Sequence, residues 1–128
     1  MEIGDFVGAW KLSDFQIENA QGESRAWGRN MRGLLIYESG GRMSVSIIRD
    51  PAEPKPSDWE AMDDVLFYAG TFASPSAGII EHKVEVATER DRLGQTLVRN
   101  VELNGDILQI SNRTTSGGIA KLTWRRAP

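Results

Sequence analysis

The sequence predicts an all-β fold, an eight-stranded antiparallel up-and-down barrel with one short helix near residues 57–68. Apolar and polar residues alternate with period two along most of the chain, and the connections between the alternating runs are short and rich in turn residues. Consecutive antiparallel strands in this number close most economically into a barrel, because a barrel leaves no sheet edge unpaired. A two-sheet sandwich stays open as an alternative, since hairpin spacing alone does not separate the two architectures.

The first predicted strand, residues 6–19, keeps its alternation but changes phase once. Its apolar residues share one parity up to Leu12 and the other parity from Phe15 onward. An extra residue near Ser13 and Asp14 explains the change, because a β-bulge returns the inward face to the apolar residues that follow. A long strand of a barrel needs such a bend, since it serves two sides of a closed sheet.

The seven later strands are short alternating runs separated by turn sequences. One of these turns, Asn-Gly-Asp at residues 104–106, is a strong hairpin signal. The strands are predicted at residues 32–38, 42–49, 70–74, 79–87, 95–103, 107–113 and 119–126.

The only helical pattern follows a proline-rich loop. Three prolines between residues 51 and 56 prevent strand pairing there. Ser57 with Glu60 three residues later forms a capping box, which satisfies free N–H groups at the start of a helix. The apolar residues that share one face of this predicted helix are Trp59, Met62, Val65 and Leu66.

Composition limits the chemistry that the chain can carry. Its 128 residues fit a single domain, residues 1–128, that buries a core without extra cross-links. The sequence contains no cysteine, which excludes disulfides and thiolate ligands and suits a reducing cytoplasm. With one histidine, no cofactor motif and no apolar run near the ~20 residues that span a bilayer, we expect a cytoplasmic protein without metal, cofactor or membrane contact.

The distribution of charge argues against a nucleic-acid partner. The net charge is −3, and the basic residues are scattered rather than gathered on one face, as phosphate binding requires. The densest charge run, residues 88–94, alternates in sign and ends in glycine, which predicts a solvated turn. A homodimer is compatible with the sequence, because symmetric dimers are common, but no residue specifies one.

Six segments spread over nearly the whole chain carry a resemblance to a known family: "GAWKLSDF", "GLLIYESGGRMSVSIIR", "YAGTF", "IIEHKVEVA", "LVRNVELNGDILQIS" and "LTWRR". Together they resemble the bacterial and fungal lipocalin-like domain family, a group of short single-domain calycins. The first segment contains the Gly-x-Trp signature at the start of the first strand. The segment around Trp27 departs from the Pro-Tyr-Gly type of sequence that we associate with the family at this position.

This resemblance implies a barrel with an internal cavity but names no ligand. It also implies that Trp10 closes the base of the barrel and stacks against an arginine near the last strand. Parity with Trp124 makes Arg126 the inward candidate rather than Arg125. Gly8 is then expected to leave room for Trp10.

His82 and Arg99 are the leading candidates for a polar site inside the barrel. In each case the neighbours of the same parity are apolar, so both side chains are predicted to point inward, and neighbouring strands would bring them together. Such a pair suits a carboxylate, enolate or phenolate, and His82 could also transfer a proton. Alternatively, His82 is a satisfied interior residue, and Arg99 is paired internally or lies at the barrel rim. The internal carboxylates considered for Arg99 are Asp14, Glu18 and Glu102.

Five aromatic or apolar residues complete the candidate ligand-binding set. Tyr37 and Tyr68 could add hydroxyl groups to the same space, although core packing explains them as well. Trp27, Met43 and Trp59 are candidates for the cavity mouth or a lid, with core filling as the alternative. The predicted helix could likewise plug one end of the barrel or act as a gate.

Three functions are compatible with these features. The first is a small-molecule binding protein whose internal cavity takes either an apolar ligand or one that bears a carbonyl or carboxylate group. The second is a cofactor-free isomerase, cyclase or dehydratase in which Arg99 stabilises an oxyanion and His82 moves a proton. The third is a fully packed barrel that binds a protein partner through an exposed apolar patch. We expect binding, with catalysis as the alternative.

Overall fold

Nine strands make up most of the computed structural model, which describes residues 3–51, 64–114 and 117–128. The strands are antiparallel to their neighbours, and 3-10 turns lie at Ile3–Phe6 and Arg90–Arg92. Their bounds are β1 Gly8–Glu18, β2 Ser24–Ala26, β3 Arg32–Tyr37, β4 Arg42–Ile48, β5 Val65–Ser76, β6 Ile79–Ala87, β7 Thr96–Asn104, β8 Ile107–Arg113 and β9 Ile119–Arg126.

Eight of these strands close into a barrel, which confirms the predicted architecture. Each strand from β3 to β8 pairs with the next one along the chain, and β1 pairs with both β3 and β9. The short β2, which the sequence analysis did not predict, pairs with Gln16–Glu18 at the end of β1. No sheet edge remains along most of the barrel, in contrast to a sandwich.

The predicted bulge in β1 is present at the predicted position. The pairing of β1 with β9 shifts register between Leu12 and Asp14. Beyond the shift, Phe15 and Ile17 are buried, as the change of phase requires. The bulge therefore lets one strand contribute to the interior at both ends of the barrel.

Trp10 and Arg126 contact each other where the start of β1 pairs with the end of β9. The Arg126 Cζ atom lies 4.2 Å from the centroid of the Trp10 ring, and Arg126 Nη1 donates a hydrogen bond to the carbonyl oxygen of Val7. Gly8 has φ +132°, and a Cβ atom there would lie 3.3 Å from Arg126 Nη1. The glycine therefore makes room for Arg126, rather than for Trp10 as expected.

The prediction of a helix near residues 57–68 is wrong for its last four residues, 65–68. Residues 65–68 belong to β5, where Leu66 and Tyr68 face inward and Val65 pairs with Ile48 of β4. Residues 57–63, including Trp59, lie outside the described residues. Within the described ranges, no helix is long and apolar enough to cross a membrane.

Candidate functional site

His82 lies in the interior of the barrel, on the inward face of β6. Only 2% of its surface is exposed, and its inward neighbours along the strand are the buried Ile80 and Val84. It pairs with Phe72 of β5 on one side and Leu97 of β7 on the other. An imidazole at this position must find its hydrogen-bond partners within the barrel.

Two tyrosines provide those partners. Tyr37 Oη lies 2.6 Å from His82 Nε2, and Tyr68 Oη lies 2.6 Å from His82 Nδ1. Burial, and secondarily the positive charge of Arg99, lowers the pKa of His82 from 6.5 to about 3. The imidazole is therefore neutral at pH 7, with one nitrogen donating to a tyrosine oxygen and the other accepting from a tyrosine O–H group.

Arg99 completes this group from β7, the strand next to His82. It pairs with Ile80 in the β6–β7 register, and its guanidinium interacts with the Tyr68 hydroxyl. Burial raises the pKa of Tyr68, an effect that Arg99 opposes, and burial also lowers the pKa of Arg99. We call Tyr37, Tyr68, His82 and Arg99 the Tyr–His–Arg cluster.

The acidic partners considered for Arg99 do not pair with it. Across the described ranges, no ion pair joins Arg99 to a carboxylate. Asp14 instead accepts a hydrogen bond from Gln16 Nε2. The interaction with Tyr68 therefore takes the place of a carboxylate at this half-buried arginine.

A pocket with a volume of about 60 Å³ lies against the cluster. Tyr68, His82 and Arg99 line it, whereas Tyr37 does not. The pocket wall is mostly apolar, and Asn112 adds one amide. Apolar residues of the wall include Leu35, Val45, Ile47, Leu66, Ile110 and Leu122.

Arg92 also lines this pocket, although its sequence pattern did not predict a site residue. The charged run at residues 88–94 does form a turn, but the Arg92 side chain is only 19% exposed and its Cζ lies 5.5 Å from the centroid of the Tyr68 ring. Arg92 Nε also pairs with Glu89 Oε2 at 3.2 Å. The alternating charges of the run indicated solvation, and only the fold over Tyr68 reveals the contact.

Two further predicted site residues lie elsewhere in the core. Trp27 is 2% exposed and stacks on Phe15, with 5.1 Å between ring centroids, but it does not line the pocket. Met43 is buried opposite Tyr37 in the β3–β4 register and does not line the pocket either. The third, Trp59, lies outside the described residues.

Trp27 and Arg49 form a second tryptophan–arginine pair, in addition to Trp10 and Arg126. The Arg49 Cζ atom lies 4.2 Å from the centroid of the Trp27 ring, and Arg49 Nη1 donates to the carbonyl oxygen of Trp27 at 2.8 Å. Arg49 also forms an ion pair of 3.1 Å with Asp64. No sequence motif links these residues, so this pair was not predicted.

Two buried indole N–H groups make no hydrogen bond within the described part of the chain, those of Trp27 and Trp124. A buried donor without a partner is costly, which makes such a group informative. Trp124 lines the pocket, whereas Trp27 does not. In the same described ranges, no group of three or more His, Asp or Glu residues is arranged to hold a metal ion.

Comparison with known proteins identifies the family. A family model described as a lipocalin-like domain matches residues 7–127. No protein of curated function matches the chain. Among solved structures, a redesigned β-barrel is similar, with a TM-score of 0.55 and 10% identity over 98% of this chain and 95% of the other. A de novo designed fluorescence-activating β-barrel has a TM-score of 0.52 and 11% identity over 99% of each chain. At these identities the two structures support the fold alone.

Proposed function

This chain belongs to the lipocalin-like domain family, and on that premise we propose that it binds a small molecule inside the barrel. One observation carries the proposal: a pocket with a mostly apolar wall ends on Tyr68, His82 and Arg99 in the interior of the barrel. Ligand sites combine an apolar wall with a few placed polar groups in this way.

The size and polarity of the pocket indicate the size and chemical groups of the ligand that it can hold. A cavity for one water measures about 10–15 Å³, so a volume of about 60 Å³ holds several waters or one small organic molecule. The apolar part of that molecule packs against the wall. A carbonyl, carboxylate or phenolate oxygen then accepts hydrogen bonds from Arg99 and from the Tyr68 hydroxyl.

The state of His82 favours binding over catalysis. A general base is most effective when its pKa lies near the working pH, whereas burial lowers the pKa of His82 to about 3. Both of its nitrogens are also engaged by Tyr37 and Tyr68. We therefore assign His82 the role of orienting Tyr68 toward a ligand, and the isomerase, cyclase or dehydratase stays the alternative function.

The proposal includes a cytoplasmic location and no nucleic-acid partner. The absence of cysteine supports the first, and the net charge of −3 with scattered basic residues supports the second. A homodimer stays a prediction that rests only on the general frequency of symmetric dimers.

Native mass spectrometry of gently purified protein tests the binding function. Three proteins are compared: wild type, Arg99→Leu in the pocket, and Arg125→Leu on the exposed face of β9 as the matched control. We expect a small molecule on wild type and on Arg125→Leu that is absent from Arg99→Leu. Denaturing the complex then releases the molecule for identification.

The same mass-spectrometry result for all three proteins would contradict the proposal. If all three proteins carry the same molecule, it is held somewhere other than the pocket. If all three are bare and wild type also binds no member of a fragment library in ligand-observed NMR, the barrel does not act as a small-molecule binding protein.

A further inference from the structure

We propose that the pocket selects a small organic carboxylate, which Arg92 and Arg99 hold together. This inference rests on the proposed binding function and deepens it in two respects. It names the charge of the ligand, and it assigns a specificity role to Arg92, which lies in the turn after β6.

The charged groups of the pocket wall are all suited to an anion. Arg92 and Arg99 line the pocket, and among the described residues no aspartate or glutamate does. Glu89 contacts the Nε atom of Arg92 at 3.2 Å, but it is not part of the wall. Since His82 is neutral at pH 7, the described wall of the pocket carries a net positive charge.

Arg99 gains most from an anionic ligand. A half-buried guanidinium that lacks a carboxylate partner loses hydration without full compensation. The Tyr68 hydroxyl is neutral at pH 7, because burial raises its pKa, and it therefore offsets the charge of Arg99 only through its dipole. A ligand carboxylate supplies the missing charge, and its two oxygens match the N–H groups of an arginine.

The unpaired indole of Trp124 supports an acceptor-rich ligand independently of the arginines. Its side chain is 1% exposed, its Nε1–H group has no partner in the described chain, and the residue lines the pocket. An indole N–H group only donates hydrogen bonds. Under this proposal an oxygen atom of the ligand accepts a hydrogen bond from this donor, which a hydrocarbon cannot do.

Arg92 reaches the pocket from the 3-10 turn Arg90–Arg92 and lies over the Tyr68 ring. Its positive charge therefore acts on the same tyrosine whose hydroxyl Arg99 contacts from β7. A carboxylate bound beside Tyr68 is attracted by the positive charges of both Arg92 and Arg99. A neutral ligand in the same place gains no such charge pairing. Arg92 thus adds to the preference of the pocket for an anion over its neutral isostere.

Matched pairs of small probes test the selection. Benzoate with benzamide and hexanoate with hexanamide differ in charge but hardly in shape. Each is titrated into wild type, Arg92→Gln and Arg90→Gln, where Arg90 is the exposed residue of the same turn. Affinities come from calorimetry, and the indole N–H resonances are followed by heteronuclear NMR. A Trp124→Phe variant assigns the resonance of Trp124.

We expect each carboxylate to bind wild type about tenfold or more tightly than its amide, since hydrogen bonds to charged groups are the stronger class. Arg92→Gln should weaken carboxylate binding more than amide binding and so reduce this preference severalfold, while Arg99 maintains the remainder. Arg90→Gln should behave as wild type. The Trp124 indole resonance should shift downfield on carboxylate binding.

Two results would overturn the inference in different ways. Equal affinities for carboxylate and amide in wild type, or equal losses in Arg92→Gln and Arg90→Gln, would refute anion selection and leave the binding function standing. If wild type binds neither member of any pair nor any fragment of the library, the binding function itself fails.

Discussion

The burial of His82 predicts a specific loss of stability in mild acid. Burial, aided by Arg99, holds the pKa of His82 at about 3, against 6.5 for an ordinary histidine. As the pH decreases, the histidine of the unfolded chain therefore binds a proton, whereas His82 in the folded chain stays neutral. Stability falls as the pH decreases from 6.5 toward 3, and the contribution is fully retained above 6.5.

The magnitude follows from these two values. Between pH 7 and pH 5, the histidine of the unfolded chain becomes almost fully protonated, while His82 in the folded chain stays neutral. Proton linkage then lowers the free energy of unfolding by about 2 kcal/mol over this range. His82 is the only histidine in the sequence, so no other histidine contributes to the change.

Urea unfolding, followed by tryptophan fluorescence at pH 7, 6 and 5, measures this loss. The control is His82→Gln, whose side chain retains a donor and an acceptor for the two tyrosines but does not titrate. We expect wild type to lose about 2 kcal/mol more than the variant. NMR titration of the His82 ring in wild type provides a check that does not depend on the variant folding. Equal losses in both proteins, or a His82 pKa near 6.5, would refute the buried, neutral histidine.

Three substitutions test the packing that positions the site. Gly70→Ala should lower the free energy of unfolding by about 3 kcal/mol, because the added Cβ would collide with the carbonyl oxygen of Lys83 on the neighbouring strand. Tyr37→Phe should cost about 1–3 kcal/mol, since it leaves His82 Nε2 buried without a partner. Arg126→Leu should cost about 2 kcal/mol, because it removes both the contact with the Trp10 ring and hydrogen bonds to backbone carbonyls. Urea denaturation at pH 7 measures all three.

Each of these substitutions has a control. Gly4→Ala should be neutral, because nothing lies within 4 Å of the added Cβ. Tyr37→Phe should cost less when His82→Gln is already present, and a double-mutant cycle measures that coupling. Arg125→Leu, on the exposed face of β9, should change stability by less than about 0.5 kcal/mol. A control as damaging as its partner would show that the specific contact is not the cause.

The barrel could be predicted because its information is local. Period-two alternation and turn residues mark each strand, and the change of phase in β1 reveals its bulge. The prediction of helix at residues 65–68 was wrong because Val65 and Leu66 fit one helical face together with Trp59 and Met62. The same sequence also places Leu66, Tyr68 and Phe72 at alternate positions, and pairing with β4 and β6 selects the strand.

The site was predictable only where strand parity determines direction. Parity indicated that His82 and Arg99 face inward, and the order of the strands brought them together. Parity does not apply to a turn, so the contact of Arg92 with Tyr68 left no local signal. The pair of Trp27 and Arg49 was missed for a related reason, because the two residues meet only after the barrel has closed.

The most direct test of the proposed function is a crystal structure of wild type with its co-purified molecule or its tightest-binding fragment. We expect the ligand to lie inside the barrel, with an oxygen atom within hydrogen-bond distance of Tyr68 Oη and the Arg99 guanidinium. A ligand bound only on the outer surface, with ordered water alone in the pocket, would contradict it.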